Sequence, residues 1–73
     1  MKPHEERVMQ EYTELFGRAE RLQKFLDGEK YLGLPPEDRA LLRLQYATMR
    51  MYLDILQERM DRFEVDDGTS RNS

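Results

Sequence analysis

Two apolar stripes at coiled-coil spacing, one in each half of the chain, constrain this sequence more than anything else in it. The first reads Val8, Tyr12, Leu15, Ala19, Leu22 and Leu26, in alternating steps of four and three residues. The second reads Leu42, Tyr46, Met49, Leu53, Leu56, Met60 and Phe63, in the same alternation. Each stripe lines one side of a helix and is only half of a core. The stretch from Asp27 to Pro36 is rich in helix breakers and too short for a domain, so the two halves are expected to fold back on each other. The expected fold class is all-α: an antiparallel, coiled-coil-like two-helix hairpin over residues 5–63, assembling into a helical-bundle oligomer. Its helices span 5–27 and 36–63, and residues 64–73 form a polar, acidic, disordered tail.

Local signals set these bounds. Glu5 and Glu6 suit the positive end of a helix, and Gly28 stands where a left-handed cap residue is needed. Tyr31, Leu32 and Leu34 are expected to fold over the open end of the seam. Pro36, Glu37 and Asp38 read as a helix start. Gly17 costs about 1 kcal/mol mid-helix relative to alanine. It is either exposed or a close-approach point for a second subunit.

The second helix carries more apolar surface than one seam uses. Leu41, Leu44, Met51 and Ile55, with Thr48 between them, form a second stripe, read as an oligomer interface. A chain of 73 residues rarely builds a sufficient core alone, and without cysteine it has no disulfide to help. Self-association is the expected supplement.

Composition narrows the chemistry. A net charge of −3, from 12 basic and 15 acidic side chains, argues against polymeric nucleic acid as partner. The single histidine, His4, lies beside Pro3 in what reads as a fraying end, so no metal site and no cofactor are expected. Ser70 and Ser73 lie in the tail, and acids such as Glu11, Glu14, Glu58 and Asp61 read as a solvated face, so no catalysis is expected. With no apolar membrane-spanning run and no signal-peptide pattern, the expectation is a soluble protein of the cytoplasm.

One local bias stands out. From Arg39 to Leu53 there is no acid against three arginines. Arg39, Arg43 and Arg50 share one helix face, with Tyr46 flanking it, and together they are the candidate ligand-binding residues. Guanidinium forks grip phosphate and an aromatic ring can stack on a base. The alternative is that these arginines pair with Glu11, Glu14 and Glu20. Tyr12, Tyr46 and Tyr52 lie on or beside the seams, where an amphipathic ring is usually core with its hydroxyl at the rim.

Glu6-Arg7-Val8, Glu11-Tyr12, Glu14-Leu15, Leu22 and Phe25-Leu26 are followed by Leu34, Glu37, Leu41-Leu42, Gln45, Met49, Tyr52, Ile55-Leu56 and Arg59. In this order they resemble a family of short bacteriophage proteins first grouped around a crAss-like phage member. The hairpin is also similar in architecture to phage sponge proteins of the anti-CBASS and anti-Thoeris groups, helical oligomers that sequester cyclic nucleotide signals of bacterial immunity. What the resemblance implies is a non-enzymatic phage-type binding protein in the host cell cytoplasm, countering defence by sequestering a small anionic signal. A protein inhibitor or adaptor, and a structural oligomerisation module, are the other readings.

Overall fold

Pro3, and not Glu5, opens the first helix. In the computed structural model, which describes residues 2–66, helix α1 spans Pro3–Leu26. Proline lacks the N–H that a first helical position leaves unpaired, so it belongs there. Lys2 caps the end with its carbonyl, which accepts from the Glu5 and Glu6 N–H groups at 3.0 Å each. The Glu5 carboxylate reaches back to the Lys2 N–H at 3.3 Å, and Glu5 is buried. His4, expected to fray, lies inside α1 with its ring edge-on to Phe63 at 6.1 Å.

The connection holds a one-turn helix that the sequence pattern does not place. Helix α1 stops at Asp27, and a single turn, α2 (Glu29–Leu32), follows at once. Gly28 is not left-handed: its φ of −99° and ψ of 171° make it the extended N-cap of α2. With only Asp27 and Gly28 between the two helices, Gly28 must serve as the N-cap of the next turn, which takes an extended backbone. Only one residue of so short a turn can face inward, and that is Tyr31. Leu32 points out and is 68% exposed, against the expectation that it would help close the seam, while Leu34 is half-buried.

Helix α3 spans Pro36–Asp66, with Pro36 at its first position as expected. It runs three residues past Phe63, because nothing in Glu64-Val65-Asp66 breaks a helix; the first breaker after Phe63 is Gly68. The rest of the expected tail, residues 67–73, lies outside the described residues.

All-helical, with two long helices and one short, is thus the architecture among the described residues. Every residue of the two stripes is buried or half-buried. Val8, Leu15 and Ala19 of α1 meet Leu53 and Leu56 of α3, and Tyr12, Tyr46, Met49, Met60 and Phe63 pack around them. The contacts run in opposite order along the two helices: His4 meets Phe63, Glu11 meets Tyr52, and Phe25 lies near the connection against Tyr31.

The Tyr52 hydroxyl donates a hydrogen bond to the Glu11 carboxylate. That bond, with loss of water and the Glu11 charge, raises the hydroxyl's pKa above its ordinary value of 10.0, and Arg59 opposes the shift. A raised folded-state value means this bond stabilises the fold fully below the unfolded pKa and fades as pH climbs through the folded one. In an alkaline titration followed at Tyr52, its hydroxyl should ionise above the ordinary value. Glu11→Gln should lower the pH at which it ionises; an unchanged value in that variant would exclude this assignment.

Candidate functional site

Helix α3 sets the arginines on one face, and α2 supplies the group that organises two of them. The Tyr31 ring is buried and edge-on to Phe25, with centroids 6.4 Å apart. Its hydroxyl accepts from Arg43 Nη1 at 2.5 Å and donates to the Arg39 carbonyl at 3.4 Å. Both capacities of the phenol are therefore spent on holding the start of α3. Arg43 remains exposed, and its hydrogen bond goes to a phenol, not to the carboxylate expected of a structural ion pair.

Arg39 is half-buried, and its Nε has lost water without gaining a hydrogen-bond partner. A buried donor in this state costs about 1–3 kcal/mol, more when it belongs to a cation. No acid stands on α3 between Asp38 and Asp54 to relieve it.

The other two expected ligand residues are placed differently. Arg50 is exposed and lies two turns past Arg43, about 10 Å along the helix. Tyr46 is half-buried against the core cluster, so its ring is mostly seam. Tyr31 is the tyrosine that meets the arginines. Sequence reasoning gave it a packing role only, and its closeness in sequence to Pro36 and Arg39 was the one signal of more.

Away from the core, α3 presents the second stripe uncovered. Leu41 and Leu44 are 63% exposed, Met51 67% and Ile55 53%. Thr48 between them returns its hydroxyl to the Leu44 carbonyl at 2.9 Å. Helix α1 adds a smaller apolar flank in Met9 and Phe16, the latter stacked with Tyr12 at 6.1 Å. Gly17 meets only the end of the Arg21 side chain, at 3.6 Å from an added Cβ, so no neighbouring element crosses it within one chain.

Among the described residues no cavity is enclosed, and no three His, Cys, Asp or Glu side chains gather as a metal site. No helix is long and apolar enough to cross a membrane. Helix α3 thus carries the arginines and the uncovered apolar stripe on nearly opposite sides.

Comparison with known proteins adds a family. The profile of the Sequestin family matches residues 2–62. The chain is also 31% identical over 64 residues to an uncharacterized 7.5 kDa protein in the denB-rIIB intergenic region of Enterobacteria phage T4, a match covering 88% of this chain and 100% of that one. No solved structure matches.

Proposed function

The chain belongs to the Sequestin family, and from that premise we propose that it sequesters a small anionic nucleotide without transforming it. The ligand class is a cyclic nucleotide of host defence signalling, captured in the host cytoplasm by a phage protein. The observation that carries the reading is Arg39: a buried guanidinium nitrogen without an acceptor, beside Arg43 pinned at its inner edge by Tyr31. The outer donors of Arg43 take one phosphate oxygen, and the half-buried Arg39 side chain, which gives up no hydrogen bond at Nε by moving, swings outward to take a second. The family's name points the same way, and so does the phage origin of the T4 relative.

In this reading α1 and α3 form an antiparallel hairpin, and copies of it associate through Leu41, Leu44, Met51 and Ile55. Because one chain encloses no cavity among its described residues, the ligand lies on an open face that association duplicates. The same uncovered stripe favours the second reading, an inhibitor or adaptor that docks on another protein.

A thermal-shift screen against cyclic di- and trinucleotides separates the two. A ligand at about 100 times its Kd stabilises the folded state by about 2.7 kcal/mol. For a domain of this size that raises Tm by roughly 10–20 °C. The sequestration reading expects such a rise with at least one cyclic nucleotide; flat melting curves throughout the screen leave the protein-docking reading.

A further inference from the structure

The uncovered stripe of α3 has a symmetry that specifies its occupant. Thr48 stands at its middle. Leu41 lies seven residues before it and Ile55 seven after; Leu44 lies four before and Met51 three after. At about 100° per residue, Glu37 and Arg59 fall on the same side of α3 as the stripe. They stand eleven residues before and eleven after Thr48. Both are exposed.

We infer that this face takes the same face of a second copy, with the two α3 helices antiparallel and their two-fold axis at Thr48. The register follows from the spacing. Leu41 packs on Ile55 of the second copy, Leu44 on Met51 of the second copy, and Thr48 on its own counterpart. A closed two-fold contact of this kind needs a self-complementary patch, and this stripe is one. Thr48 fits a dry centre because its hydroxyl is satisfied by the Leu44 carbonyl of its own helix, which leaves the methyl group for the seam.

Charge chooses between the two directions. In the antiparallel register Glu37 faces Arg59 of the second copy, and the pair occurs twice. In a parallel register Glu37 would face its own counterpart and Arg59 would do the same, giving two repulsions instead. The apolar contact alone permits either direction. The charged ends permit one. A foreign protein partner would require none of this internal symmetry.

The inference rests on the self-association in the reading above, but its test uses no nucleotide. The chain has no cysteine, so single introduced cysteines report cleanly on register. Leu41→Cys and Ile55→Cys chains, mixed and mildly oxidised, should give a covalent dimer. Leu41→Cys alone should not, because its two copies would lie about 21 Å apart along the seam, far beyond the ~7 Å Cα separation a disulfide spans. Light scattering on the unmodified chain should report a dimer. Glu37→Arg and Arg59→Glu should each raise the dimer Kd by about tenfold at low salt, and the double variant should restore it. Circular dichroism confirms that each variant remains helical.

Three results would overturn the inference: efficient cross-linking of Leu41→Cys with itself, no cross-link in the mixture, or a helical monomer. Any of them leaves nucleotide capture by a single arginine face standing. Failure of every nucleotide to bind, with cross-linking as described, removes the sequestration reading and leaves this dimer.

Discussion

Leu56→Ala should cost about 3–5 kcal/mol and leave the chain largely unfolded at 37 °C. Leu56 is fully buried and sits in a core cluster whose other buried members among the described residues are Val8, Leu15, Ala19 and Leu53. Truncating a leucine in such a site loses its transfer energy and leaves a cavity that long, straight helices cannot close without losing their alignment. A single core in a chain this short rarely supplies more than about 3–5 kcal/mol, so the loss is comparable to the whole. The control is Leu32→Ala, at a residue 68% exposed on α2, which should change stability by less than about 0.5 kcal/mol. Urea melts followed by circular dichroism at one protein concentration measure both. If Leu56→Ala melts with the wild type, the seam does not hold the fold.

Tyr31 should show the second-largest effect, and in two separable parts. Tyr31→Ala removes a buried ring from the end of the seam, along with its contact to Phe25. The expected loss is about 3 kcal/mol, near the lower end for aromatic truncation because Phe25 and Leu34 are only half-buried and can settle inward. Tyr31→Phe keeps the ring and removes only the hydroxyl that joins Arg43 to the Arg39 carbonyl. Its cost should be about 1 kcal/mol, the usual worth of such a bond. In a Tyr31→Phe background, Arg43→Ala should then cost almost nothing more, since the two changes remove one interaction. Full additivity in that cycle would mean that the tyrosine and the arginine are not coupled.

Most of the long-range packing was legible in the sequence because a four-three alternation over seven positions has one physical meaning, a helix with a partner. Both stripes are buried or half-buried along their whole length, and the second stripe of α3 is uncovered, as the surplus of apolar residues implied. The connection was harder to read. A one-turn helix shows no period, so α2 was invisible, and Gly28 looked like a cap when it opens the next turn. For the same reason Leu32 could not be told from Tyr31 as the inward residue.

The arginine site was half legible. Periodicity grouped Arg39, Arg43 and Arg50 on one face, but helical phase says nothing about a residue reaching that face from another element. Tyr46 was chosen as their aromatic neighbour because it lies on the same helix, and it is largely committed to the seam. Tyr31 comes from across the connection, twelve positions before Arg43. The orphaned Arg39 Nε has no signature in the sequence.

Titration calorimetry with the cyclic di- and trinucleotides, on the wild type and on three single variants, tests anion capture most directly. Arg39→Ala and Arg43→Ala should each weaken binding by about 1.5–3 kcal/mol, the range for a charge-assisted hydrogen bond, or about 10- to 150-fold in Kd. Arg62→Ala, far along α3 from Tyr31, should bind like the wild type. Equal losses from all three variants, or no binding by the wild type, would contradict the assignment of the Arg39–Arg43 face as the site of capture.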